Sequence, residues 1–107
     1  MTTPPVLAAD VGGTQMRAAL VDARGAVLVR DSAATPGQAD VPAALIDLMQ
    51  RVGAEHGHGT VVHAVVGLPG GIDYGAGRLL WAPHLPAQWT EALSRDELSA
   101  RLGLPVR

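Results

Sequence analysis

The eight residues Asp10-Val-Gly-Gly-Thr-Gln-Met-Arg17 put a carboxylate, two adjacent glycines, a hydroxyl and a guanidinium next to one another, straight after an apolar run. Polyphosphate binding needs these parts: backbone N–H groups brought close, a divalent cation to neutralise charge, and a cation or hydroxyl to orient oxygens. Gly12 and Gly13 carry no Cβ and so let a ligand approach the main chain. Thr14 offers a hydroxyl and an N–H, Gln15 completes the loop, and Arg17 can reach a phosphate. Asp10 can hold Mg2+ directly or through water, because hard cations take oxygen ligands. Two commoner phosphate loops are excluded: the chain has neither Gly-x-x-x-x-Gly-Lys-Ser/Thr nor Gly-x-Gly-x-x-Gly. A Gly-Gly pair alone would read as a plain hairpin turn. The Asp, Thr and Arg around it favour the phosphate reading.

The elements that must position this loop are short. Residues 1–5 read as a loose tail ending in two prolines, and residues 6–9 as a strand buried on both faces. A second strand is expected over 16–22, a tight turn at Asp22-Ala-Arg-Gly25, and a third strand over 26–30, which together make an antiparallel meander. After a loop over 35–40, Asp40 serves as N-cap of a helix and Pro42 is tolerated in its first turn. Val41, Leu45, Leu48 and Val52 recur at helical spacing, Ile46 and Met49 widen that face, and Asp47 pairs with Arg51 on the other side. Gly53 or Gly57 ends this helix.

A Val-rich strand over 60–68 follows, broken by Pro69-Gly70-Gly71. A turn over 74–77 leads to a short strand over 78–81, and residues 82–89 are loop. Ser94 and Glu97 form a capping box for a second helix, with Leu93 and Leu98 as its hydrophobic staple, Glu97 and Arg101 as an i,i+4 pair and Gly103 at its end. Leu104-Pro-Val-Arg107 reads as the start of a strand. Meander strands followed by strand–helix alternation imply an α/β fold with a mixed sheet and helices on its faces.

Composition narrows the function classes. The 107 residues allow one small domain at most, and the core must be aliphatic, with no Phe, one Tyr and two Trp. A formal net charge of −2 and the lack of a basic cluster argue against nucleic acid as a partner. There is no cysteine, hence no disulfide and no thiolate zinc site. No signal peptide and no apolar run of membrane-spanning length is read, so a soluble cytoplasmic protein is the expectation. His56, His58 and His63 with Glu55 read as solvated groups rather than a metal site. Trp81 and Trp89 read as packing residues.

At residues 8–22 the string AADVGGTQMRAALVD resembles the first phosphate motif of the ROK family of bacterial sugar kinases and related repressors. Val66-Gly-Leu-Pro-Gly-Gly-Ile-Asp73 is similar to that family's Gly-x-Pro-Gly segment. Gly77-Arg-Leu-Leu-Trp-Ala-Pro-His-Leu-Pro86 is similar to its Ala-Pro-Asn-Leu-Pro segment, and Asp96-Glu-Leu with Leu102-Gly-Leu-Pro-Val106 matches the helix and strand before its catalytic motif. The motifs stand in order and cover almost the whole chain.

The resemblance implies a ribonuclease-H-like lobe of the actin-like ATPase superfamily, with residues 6–107 as an incomplete N-terminal sugar-kinase lobe. It implies that Asp10, Gly12, Gly13, Thr14, Gln15 and Arg17 bind ATP phosphates, with Asp10 positioning Mg2+. Gly70, Gly71 and His84 would lie by the hexose, and His84 stands where the family has Asn. For Pro69-Gly70-Gly71 the competing reading is a strand-ending turn, and for His84 a structural loop residue. The family's catalytic Asp, its second phosphate motif, its adenosine-binding lobe and its zinc motif have no counterpart here, and Asp73 matches a turn rather than the base. The expected activity is thus phosphoryl transfer from ATP to a hexose hydroxyl by the complete protein, which could be a homodimer, with the 107-residue chain inactive alone. The alternatives are a sugar-responsive transcription regulator of the same family and a non-catalytic remnant. With nine residues ahead of Asp10 and no basic helix, the sequence gives the regulator less support.

Overall fold

The computed structural model describes residues 3–36, 40–55, 61–82 and 89–107. Three strands open the chain: β1 (Val6–Val11), β2 (Gln15–Val21) and β3 (Val27–Ala34). They pair antiparallel in succession, as the meander reading requires, with Asp10 opposite Arg17 and Arg17 opposite Ser32. The Asp22 turn closes the second hairpin: Asp22 Oδ1 accepts from the Arg24 and Ala26 N–H groups, both at 2.9 Å. β3 runs four residues further than its apolar content indicates. The extension, Asp31-Ser32-Ala33-Ala34, sits at the sheet edge, where β2 supplies the backbone pairing and Asp31 and Ser32 find side-chain partners in Arg51 and Gln15.

Helix α1 (Val41–Glu55) begins where Asp40 Oδ1 accepts from the Ala43 N–H at 3.0 Å. Its buried positions are Val41, Pro42, Leu45, Ile46, Leu48, Met49 and Val52. They pack on the sheet face formed by Leu7, Ala9, Val11, Met16, Ala18 and Leu20, one contiguous aliphatic core. Each fully buried Leu or Val contributes roughly 1.5–3 kcal/mol of hydrophobic stabilisation. Arg51 reaches back across this face, pairing with Asp47 as expected and also with Asp31 of β3 at 2.8 Å.

The chain then crosses to β4 (Ala64–Gly67), which lies parallel to β1, with Gly67 opposite Asp10. The sheet order is β3-β2-β1-β4. Within the described residues β4 is shorter than the 60–68 expectation, although the His63 carbonyl still accepts from Leu7 N–H. Val106 bridges Ala64 in parallel, and the Arg107 N–H donates to the Ala64 carbonyl, so the segment after Gly103 does begin a strand beside β4.

Between β4 and that segment lies a hairpin of β5 (Gly71–Asp73) and β6 (Arg78–Trp81). β5 was not legible as a strand, because Gly71 reads as a breaker and only backbone pairing with β6 extends it. Helix α2 (Arg95–Leu102) starts at Ser94, whose hydroxyl accepts from Glu97 N–H at 3.2 Å. The reciprocal half of the capping box does not form, since the Ser94 N–H donates to the Glu91 carbonyl instead. Leu93 and Leu98 are both buried in the core cluster, consistent with the staple. Among the described residues the ion pairs are Arg51–Asp31, Arg51–Asp47 and Arg78–Glu91, and the spacing-based Glu97–Arg101 pair is not among them.

Candidate functional site

The Asp10–Arg17 segment folds as the hairpin joining β1 to β2. The turn is closed by Gly12 N–H donating to the Gln15 carbonyl at 2.9 Å. A Cβ on Gly12 would stand 2.9 Å from that same carbonyl, so glycine is required here by the hairpin itself. The Gly12 N–H is therefore consumed internally. Among the described residues, neither the Gly13 N–H nor the exposed Thr14 hydroxyl has a hydrogen-bond partner, which leaves them as the donors the loop presents.

Sequence reasoning missed the residue that holds this loop. Thr35, just past β3, is 4% exposed and the one buried polar residue among those described. Its hydroxyl donates to the Gly12 carbonyl at 2.9 Å, and its N–H donates to the Thr14 carbonyl at 3.1 Å. Both carbonyls are thereby turned toward Thr35. The signal available in sequence was a Thr directly before Pro36 at the end of a strand, too common a pattern to single out.

Asp10 stands at the end of β1, flanked by Arg17 on β2 and Gly67 on β4. Its carboxylate is exposed and, among the described residues, makes no ion pair, even with Arg17 directly opposite. Arg17 instead donates to Gln15 Oε1 at 3.3 Å, and Gln15 Nε2 donates to Ser32 Oγ at 3.3 Å. Gly67 gives the carboxylate its room: a Cβ there would come within 3.2 Å of Asp10 Oδ1. Asp10, Arg17 and Ser32 line a cleft of about 640 Å3 on the sheet face opposite α1, together with Ala8, Ala19 and Arg30.

The donor set fits Mg2+ of the kind that accompanies nucleotides. Among the described residues no three His, Cys, Asp or Glu side chains converge, so these residues form no all-protein metal cage. A single unpaired carboxylate beside a phosphate loop is what Mg2+ uses when phosphates and water supply its remaining ligands.

The second loop lies at the β5–β6 hairpin. Gly70 has φ of 104°, and a Cβ there would collide with the Trp81 carbonyl oxygen. A Cβ on Gly71 would lie 2.5 Å from Trp81 Nε1. Backbone contact and positive φ require glycine at position 70, whereas at Gly71 the space is taken by the Trp81 side chain. Trp81 is itself 61% exposed, which corrects its reading as a packing residue, whereas Trp89 does pack against the core. His84, like His56 and His58, lies outside the described residues.

The meander, the parallel fourth strand and the helix on one face are the architecture of an actin-like ATPase lobe. The chain belongs to the ROK family, whose model matches residues 6–107. It is 30% identical over 99 residues to a glucokinase of Streptomyces coelicolor, an alignment covering 91% of this chain and 29% of that protein. The crystal structure of a ROK glucokinase from Streptomyces griseus in complex with glucose and AMPPNP superposes with a TM-score of 0.72 at 29% identity, over 95% of this chain and 31% of that one. A ROK transcriptional regulator, a homologue of the E. coli MLC protein, superposes with a TM-score of 0.77 at 27% identity, over 95% of this chain and 26% of that one. The chain thus spans about 29% of the length of the curated glucokinase it matches. No helix among the described residues is long and apolar enough to cross a membrane.

Proposed function

We propose that this chain is the nucleotide-side lobe of an ATP-dependent hexose kinase of the glucokinase type. The observation that supports this reading best is the Asp10 carboxylate beside two loop donors, the Gly13 N–H and the Thr14 hydroxyl, all three without a partner among the described residues. In this reading Gly13, Thr14 and Arg17 hold phosphate oxygens, with Gly12 and Gln15 setting the shape of the loop. Asp10 holds Mg2+, which when bound supplies charge neutralisation for the transferring phosphoryl group. Gly70 and Gly71 are assigned to the hexose side, and His84 is assigned there by the resemblance of residues 77–86 alone. A sugar hydroxyl needs a carboxylate base within hydrogen-bond reach. We assign that role to no residue of 1–107, and place it in chain that would follow the Val106 strand.

Calorimetric titration of the protein with ATP tests the reading. Wild type binds ATP in the presence of Mg2+. Asp10→Asn weakens Mg2+-dependent binding about tenfold or more, the scale of a lost charged interaction, and leaves the melting temperature unchanged because the side chain is exposed. Equal binding by Asp10→Asn, or no binding by wild type, overturns it. The 107-residue chain alone gives no hexose phosphorylation, and measurable turnover would contradict the placement of the base.

The similarity to a transcriptional regulator supports a second reading, the corresponding lobe of a sugar-responsive transcription regulator of the same family. Hexose binding without Mg2+-dependent ATP binding would favour it.

A further inference from the structure

Trp81 is a large apolar residue held in place yet left open. Indoles are on average highly buried, but this one is 61% exposed and lies at the end of β6, directly opposite Gly71 in the hairpin register. Its pyrrole ring packs so close to Gly71 that a Cβ there would come within 2.5 Å of Nε1, 3.0 Å of Cδ1 and 3.2 Å of Cε2. Its carbonyl occupies the space beside Gly70. Two consecutive glycines thus leave the room that the Trp81 backbone and indole occupy beside the loop.

We propose that Trp81 is the aromatic wall of the sugar site, its exposed indole stacking on the C–H face of a hexose held at the Pro69–Gly71 loop. The inference rests on the hexose-kinase reading above and adds a contact residue to it. A pyranose ring presents aliphatic C–H bonds on its faces and hydroxyls around its rim. An aromatic face carries negative quadrupole density that suits the former, and backbone groups of a glycine loop suit the latter. Small-molecule sites combine apolar or aromatic walls with a few placed polar groups in this way. Gly71 lies over part of the pyrrole ring, so the exposed remainder of the indole surface is what Trp81 offers.

The test uses the two-tryptophan content of the chain, which gives two indole N–H signals in a 15N correlation spectrum, assigned with Trp81→Phe. Titration with glucose or mannose shifts the Trp81 signal and leaves that of Trp89. Trp81→Ala binds hexose about tenfold more weakly, equivalent to about 1.4 kcal/mol. Trp81→Phe, which keeps a stacking face, stays within about threefold of wild type, and both variants retain wild-type affinity for ATP with Mg2+. Retention of ATP affinity shows that the lobe is folded. Hexose binding with an unmoved Trp81 signal and undiminished affinity in Trp81→Ala overturns the stacking role while leaving the kinase reading intact. Absence of any hexose binding by wild type removes the sugar-side reading and this inference with it.

Discussion

Replacing Thr35 by Val separates the two things this residue does. Valine keeps the shape and the backbone N–H, so the bond to the Thr14 carbonyl at 3.1 Å remains. The substitution removes only the hydroxyl that donates to the Gly12 carbonyl at 2.9 Å. At a position 4% exposed, the lost bond leaves a carbonyl without its partner in a part-buried setting. An unsatisfied buried acceptor costs about 1–3 kcal/mol, and the partial burial of this bond puts the expected loss at about 1–2 kcal/mol. For a domain of this size that lowers the melting temperature by roughly 4–12 °C. Urea and thermal melts of Thr35→Val, wild type and Thr35→Ser give the comparison. Serine keeps the donor and loses one methyl, so it should recover most of the hydrogen-bond term.

The functional consequence is distinct from the stability one. With Gly12 no longer tied to Thr35, the loop that presents the Gly13 N–H and Thr14 hydroxyl samples more conformations, and binding must order it again. ATP affinity in Mg2+ should fall about three- to tenfold in Thr35→Val at temperatures where the variant is fully folded, a cost of the order of ordering one residue. A Thr35→Val protein that melts with wild type and binds ATP equally well would refute the claim that Thr35 sets the loop.

Other substitutions test the frame around the site. Gly70→Ala should destabilise by about 3 kcal/mol in a urea melt, because φ of 104° disfavours a side chain and the new Cβ meets the Trp81 carbonyl. Leu45→Ala, at a position with no exposure between α1 and the sheet, should cost about 2–5 kcal/mol, a large part of the stability of a domain this small. Ser94→Ala should cost about 0.5–1 kcal/mol in the same assay, the low end for an N-cap, since its bond to Glu97 is 3.2 Å long.

Much of this was legible in the sequence where local chemistry dictates structure. The apolar alternation of β1 and β2, the Asp22 turn, the Asp40 and Ser94 caps and the helical spacing of Val41 to Val52 all use interactions within a few residues. What was not legible depends on partners distant in the chain. The second half of β3 becomes strand because β2 pairs with it, and β5 exists only because β6 does. Thr35 acquires its role from a loop more than twenty residues away, which no local pattern reports.

Glycine is the residue for which this distinction matters most. In both loops the sequence places glycines where a ligand could approach, and in both the structure gives them an internal occupant: the Gln15 carbonyl at Gly12, and the Trp81 carbonyl and indole at Gly70 and Gly71. A missing Cβ is therefore not in itself a sign of a binding surface. At the first loop the sign is the carboxylate of Asp10 together with the Gly13 N–H and the Thr14 hydroxyl, groups that have no hydrogen-bond or ion-pair partner among the described residues. By the same reasoning Gly67 has a stronger claim to a functional role than Gly12, because the space it leaves is filled by the Asp10 carboxylate itself. A Cβ at Gly67 would press on the carboxylate at 3.2 Å and leave the β1–β2 turn untouched, so under the proposed Mg2+ role of Asp10 a Gly67→Ala substitution should weaken metal-dependent ATP binding more than it lowers the melting temperature.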